Sequence, residues 1–195
     1  MQRLYFLLLL GLSWAQYKLK GEYRDLQRKT EIRLTLWIAP SYLRLVSEGR
    51  WDTVEQELDF LFLPTATYWI DKKAGITYDV TATTADTFPL YVHIVGASDY
   101  QGRAGLQAII FCASGKMEII WDESVPVDWT LWRYRFMARG LGAALRSFSR
   151  GIPLFWRTYN QRNEVEEEFR LLSVEPYEPS DAEGRPPYPV KKLGE

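Results

Sequence analysis

In the stretch TEIRLTLWI, Thr30–Ile38, apolar and polar side chains take strict turns. Ile32, Leu34, Leu36 and Ile38 point one way; Glu31, Arg33, Thr35 and Trp37 point the other. A period of two lines the two faces of a strand, so this stretch predicts a sheet with one buried and one wetter face. Val54–Phe62 repeats the pattern, with Leu58, Phe60 and Phe62 set against Glu55, Glu57 and Asp59. Further strand-like runs cover residues 17–24, 42–47, 67–71, 76–82, 90–97, 106–113 and 117–121. Between them lie turn signals at Pro40-Ser41, Glu48-Gly49-Arg50, Lys72-Lys73-Ala74-Gly75 and Ser114-Gly115. A chain of this kind is predicted to be mainly antiparallel β.

The period changes after Pro126. Leu131, Tyr134, Ala138, Leu141, Leu145 and Phe148 are spaced three and four apart, which predicts one long amphipathic helix over residues 128–148. Asp128 is the expected N-cap, and Gly151-Ile152-Pro153 the expected stop. Strands are predicted again at 154–159 and 165–174, joined by Asn160-Gln161-Arg162-Asn163. The acidic run Glu164, Glu166, Glu167, Glu168 reads as the wet face of the last strand. The remainder, rich in Pro and charge, is expected to be extended and partly unordered.

The chain opens MQRLYFLLLLGLSWAQ: a basic Arg3, a short apolar run and small residues at Ser13 and Ala15. This is the pattern of a secretory leader, with cleavage expected after Ala15. The run is shorter than the roughly 20 residues needed to span a bilayer. The expected organisation is a signal peptide over 1–15, one domain over 16–178 and a tail over 179–195, in the periplasm or secreted, with no transmembrane segment after cleavage. Losing Arg3 takes one from the 24 basic residues and leaves the 25 acidic ones, a net charge of −2. A balance this even does not point to nucleic acid. The chain has one cysteine, Cys112, and one histidine, His93. A single cysteine makes no internal disulfide, and both residues sit inside apolar runs, so both read as structural.

With these residues in place, several short motifs resemble an uncharacterised family of secreted bacterial proteins similar to the lipoprotein carrier LolA, the receptor LolB and the sigma-regulatory protein RseB. They are Gly21 in the first strand, Trp37-Ile38-Ala39-Pro40, Ile70-Asp71-Lys72-Lys73 with Tyr78, Ala104-Gly105-Leu106-Gln107-Ala108, Glu118 to Trp121 with Val125-Pro126, and Gly151-Ile152-Pro153-Leu154. Leu106 stands where the family commonly has Tyr, and Pro186-Pro187-Tyr188-Pro189-Val190 matches its close only loosely. The resemblance implies an α+β fold: a strongly curved antiparallel half-barrel closed by one long helix, holding an apolar group between sheet and helix.

The expected function is therefore noncatalytic: an exported protein that binds a hydrophobic or lipid-linked ligand, with a lipid or lipidated protein as cargo. The candidate lining is Leu34, Leu36, Phe60, Phe62, Trp69, Leu141 and Leu145. A cell-envelope protein-interaction module with no small ligand is the alternative, with Trp37 and Trp129 as outward anchors. The basic side of the predicted helix (Arg133, Arg135, Arg139, Arg146 and Arg150) offers a membrane or partner contact, above all through Arg135, Arg139 and Arg146. No acid pair, triad or metal-ligand spacing stands out, so neither an enzyme nor a cofactor is expected.

Overall fold

A computed structural model describes residues 16–51, 54–81, 90–112, 115–132 and 140–193. The strands are β1 (Tyr17–Asp25), β2 (Thr30–Ile38), β3 (Leu43–Trp51), β4 (Val54–Phe62), β5 (Thr67–Asp71), β6 (Ile76–Asp79), β7 (Tyr91–Tyr100), β8 (Arg103–Cys112) and β9 (Gly115–Asp122). A short helix α1 (Leu141–Ser147) follows, then β10 (Ile152–Tyr159), β11 (Val165–Pro176) and β12 (Val190–Lys192). All twelve strands form one sheet in the order β12-β6-β5-β4-β3-β2-β1-β11-β10-β9-β8-β7. Every pairing is antiparallel except that of β12 with β6.

Chain length alone shows that this sheet is curved. Ten strand spacings separate β6 from β7, about 48 Å if laid flat at ~4.8 Å each. The link from Asp79 to Tyr91 reaches at most about 42 Å fully stretched. The sheet therefore curls toward itself, yet stays open, with β12 and β7 as its edges.

The alternation legible in the sequence sets the two faces. Leu36, Ile38, Leu43, Phe62, Ile110, Ile119, Trp121, Leu154, Trp156 and Phe169 bury inward in one cluster. On the outer face Ala39, Tyr42, Leu61 and Ile70 form a second cluster, packed by Trp37, Tyr68, Tyr177 and Tyr188. The C-terminal tail is thus ordered rather than loose. Tyr177 pairs with the Tyr42 hydroxyl and donates to Glu183 Oε2 at 3.1 Å, while β12 pairs with β6. Burial, with its contacts to Tyr42 and Glu183, pushes the Tyr177 phenol up, so the phenol stays protonated beside the Glu183 carboxylate.

Three further sequence expectations change. Among the described residues helix is confined to α1, seven residues long, and the sheet is not closed by a long helix. Residues 126–132 are held non-helical by tertiary bonds: Trp129 N–H donates to Ser149 O at 2.8 Å, its indole N–H to Gly151 O at 2.6 Å, and Gly151 N–H to Val127 O at 2.9 Å. Asp128 bridges Arg150 instead of capping the start of a long helix, and Gly140, at φ 52, sets the start of α1. Arg133, Arg135 and Arg139 lie outside the described residues. Glu48-Gly49-Arg50 is not a turn but the end of β3, where a Cβ on Gly49 would meet Glu31 O at 2.4 Å. Finally, Glu168 is buried, not wet.

Glu168 sits on the outer face between Arg157, whose Nε donates at 3.0 Å, and Arg170, whose Nε donates at 2.8 Å. Burial alone would raise this carboxyl, but the bonds from Arg157 and Arg170 outweigh it and hold it below the usual carboxylate range. A carboxyl lowered in the folded state stabilises fully above its unfolded pKa, about 4.3, and that contribution fades as pH falls through the folded value. Replacing Glu168 by Gln should cost about 1–2 kcal/mol at neutral pH, less than a fully buried pair because both arginines reach solvent. Urea midpoints of the two proteins should converge on acidification; a gap independent of pH would show that the charge is not what matters.

Candidate ligand-binding face

The concave side of the sheet meets the cover formed by residues 125–132 and 140–148. That cover approaches closely because α1 buries Gly142, Ala143 and Ala144, which carry almost no side chain. The space between is filled by aromatic rings. Trp121, Trp129, Trp132 and Trp156 are all essentially fully buried. Trp121 stacks on Phe148 with ring centroids 5.0 Å apart, and Trp156 on Phe169 at 4.1 Å. Trp129 is thus a core residue and not an outward anchor. Trp37 does lie on the outer face, half-buried, with Lys18 Nζ 5.3 Å above its ring.

Of the lining expected from sequence, Leu36, Phe62 and Leu145 are buried, while Leu34, Phe60, Trp69 and Leu141 are half-buried. The structure brings Leu34, Leu36 and Leu141 together around one small enclosed void of about 10 Å³, shared with Gly21, Trp129, Trp156 and Phe169. Phe60 and Trp69 pair across β4 and β5, and Trp69 stacks on Tyr78 at 5.2 Å. Arg146 is half-buried in the last turn of α1.

Two features escaped the sequence reading. At the end of the cover an apolar pocket of about 250 Å³ opens between Ile38, Ala39 and Pro40 and the segment carrying Pro126, Val127, Leu131 and Trp132. Trp37-Ile38-Ala39-Pro40 and Val125-Pro126 mark its two sides in the sequence, but nothing local joins them. The other is the Trp156 indole N–H, which is buried and has no hydrogen-bond partner among the described residues. Trp156 is also one of the residues that line the enclosed void. An orphaned buried donor costs about 1–3 kcal/mol, and it is the polar exception in an otherwise hydrophobic lining.

Electrostatics elsewhere are structural. On the outer face Arg44 binds Asp59 through two N–H groups, at 2.9 and 2.6 Å, and Lys72 joins at 3.2 Å. Cys112 and His93 do not meet. Cys112 follows the Ile110 face of β8, whereas His93 pairs with Ile109 and takes the opposite face. The Cys112 thiol lies 3.5 Å from Gly115 O. Among the described residues no group of three or more His, Cys, Asp or Glu side chains could hold a metal ion. No described helix is long and apolar enough to cross a membrane.

With this geometry the fold is one already seen. An uncharacterised conserved protein from Thermus thermophilus superposes with a TM-score of 0.60 over 93% of this chain and 92% of its own, at 7% identity. MucB superposes with a TM-score of 0.52 over 88% of this chain, at 10% identity. In the complex of Pseudomonas aeruginosa MucA and MucB the TM-score is 0.51 over 87% of this chain, at 12% identity. The chain spans a little over half of the MucB chains, 57% and 55%. The LolA/LolB/RseB-like resemblance therefore holds at the level of fold. No sequence-family model matches, and no curated protein matches by sequence.

Close packing beside the void fixes Gly21. A Cβ there would fall 2.3 Å from Phe169 Cε2 and 2.9 Å from Arg170 O. Gly21→Ala must move the ring or the strand, and should destabilise by about 1–3 kcal/mol in urea unfolding. An unchanged midpoint would mean that the Phe169 ring yields freely.

Proposed function

We propose that this chain is an exported, noncatalytic binding module that takes an apolar or lipid-linked group between the curved sheet and its cover. The observation that carries this reading is the orphaned Trp156 indole N–H. An acyl chain alone would leave it unpaired; an acyl ester or carboxyl group would supply the missing acceptor. The 250 Å³ pocket at Ile38–Pro40 and Leu131 serves as the mouth. Entry proceeds by lifting of the cover, since 10 Å³ admits little more than one water. Leu34, Leu36, Phe60, Phe62, Trp69, Leu141 and Leu145 form the wall along which the apolar part lies, and burial at about 25 cal/mol per Å² drives the association. Arg146, with Arg135 and Arg139, supplies the positive side that meets an anionic lipid surface or a partner during delivery. The module takes in the tail as well, through β12, and is released after Ala15 into the envelope or beyond.

A second reading, an envelope protein-interaction module, is favoured by one finding: a protein of this fold, MucB, crystallises in complex with MucA(peri).

The test is native mass spectrometry of the protein purified gently from an envelope fraction, together with titration of a fluorescent fatty acid. The first reading expects a reproducible lipid mass and saturable uptake. Trp156→Phe should keep the fold and weaken uptake about fivefold to tenfold, the worth of one hydrogen bond. A clean apo mass with no uptake would sink the first reading and leave the second. Uptake unaffected by Trp156→Phe would remove Trp156 from the site.

A further inference from the structure

The chain beyond β11 crosses the outer face of the sheet. It starts beside β1, where Tyr177 N–H donates to Gln16 O at 3.0 Å, and ends as β12 on the far side of β6. On the way it grips one residue, Tyr42. The Tyr42 hydroxyl pairs with that of Tyr177 and lies 3.4 Å from Glu183 Oε2. The same carboxylate oxygen accepts from Tyr177 OH at 3.1 Å, Ser180 N–H at 2.9 Å and Ser180 Oγ at 3.1 Å. Gly184 sits against the Tyr42 ring, where a Cβ would fall 2.8 Å from Cδ1.

Tyr42 belongs to the turn between β2 and β3, and that turn has two sides. Its Tyr42 side meets the tail. Its other side, Ile38, Ala39 and Pro40, is one wall of the apolar pocket of about 250 Å³. Ala39 N–H donates to Tyr42 O at 2.9 Å and ties the two sides together. Ala39 also belongs to both, packing in the outer cluster and lining the pocket.

We propose that residues 177–192 are a regulatory strap on the mouth of the binding face. Docked, the strap holds the turn between β2 and β3 and fixes that wall of the mouth; released, it frees the wall and the mouth widens. The ligand that passes is that of the binding reading above, on which this role rests, whereas the grip on the turn stands without it. The strap is also made to let go before the sheet does. β12 is three residues long, exposed throughout, and joined by the one parallel pairing among the described residues; parallel pairs are slightly weaker per residue. Thr77, opposite Val190, is buried with its hydroxyl unpaired among the described residues. Release of β12 gives that hydroxyl access to water and removes the penalty. Segments with few buried apolar contacts open well before core strands.

Two substitutions loosen the grip at different points. Glu183→Ala removes the acceptor, and Gly184→Val drives methyl groups against the Tyr42 ring. In each variant hydrogen exchange should speed up about tenfold over residues 39–43 and 177–192, the worth of roughly one hydrogen bond, while β8 to β10 keep their protection. Stopped-flow mixing with a fluorescent fatty acid should show binding and release both faster by a similar factor. Faster exchange over 177–192 alone would overturn the proposal, whether or not fatty acid binds. So would faster exchange throughout the sheet, which would make the tail a general stabiliser, or a loosened turn with unchanged uptake rates. The expected exchange pattern in a protein that takes up no fatty acid would uphold the grip on the turn and sink the binding reading instead.

Discussion

Trp156 lies flat on Phe169, ring centroids 4.1 Å apart, on the concave side of the sheet. Most of the architecture answers to that stack. It needs open space on β1, and Gly21 provides it by carrying no Cβ where the Phe169 ring comes closest. It needs a cover, and Trp129 and Leu141 meet both rings around the enclosed void. It needs the strands to bend toward the rings, and where β1 passes from Lys20 to Gly21 the partner strand β11 carries an extra residue, Leu172. A bulge adds local twist and bends its strand. The curvature that chain length demands between β6 and β7 is thus met, in part, where the aromatic stack sits.

This dependence explains why the strands were so legible and the cover was not. β2 and β4 begin and end where their alternation does, because each face of a half-buried strand meets a uniform environment. The cover obeys no such rule. Trp129 and Trp132 bury because Trp129 is tied to Ser149 through its backbone N–H and to Gly151 through its indole, and Trp132 N–H is tied in turn to Trp129 O. Their spacing happens to fit a helix. Gly49 shows the same limit on a smaller scale. It reads as a turn residue, but its cause is the Glu31 carbonyl on a neighbouring strand, well back along the chain, a contact no local window contains.

The packing of the candidate face was half legible for related reasons. Leu34, Leu36 and Leu141 do meet, since apolar faces on a curved sheet and on its cover have only each other to bury against. What the pattern could not supply is the filling. Trp129, Trp156 and Phe169 occupy the volume that a resemblance to carrier proteins would leave for cargo. Glu168 is the mirror case on the outer face. Its acidic neighbours suggest a solvated strand, while two arginines, one on the next strand and one two residues on, make it a buried, ion-paired group.

A filled interior and a binding function are compatible when the filling is only marginally content. Burying apolar rings stabilises the closed state, but the same closure strands the Trp156 N–H without an acceptor among the described residues. Hydrophobic burial is non-directional and tolerates exchange of one apolar group for another, whereas an unpaired donor in an apolar site favours any occupant that brings an oxygen. The cover is also lightly built: α1 is seven residues long and begins at a glycine with positive φ. A short helix contributes little of its own stability, so its position rests on packing against the sheet. A ligand that replaces that packing and pairs the indole loses little on entry. In the proposed binding, specificity would reside in the acceptor that reaches Trp156, and affinity in the apolar length that follows it.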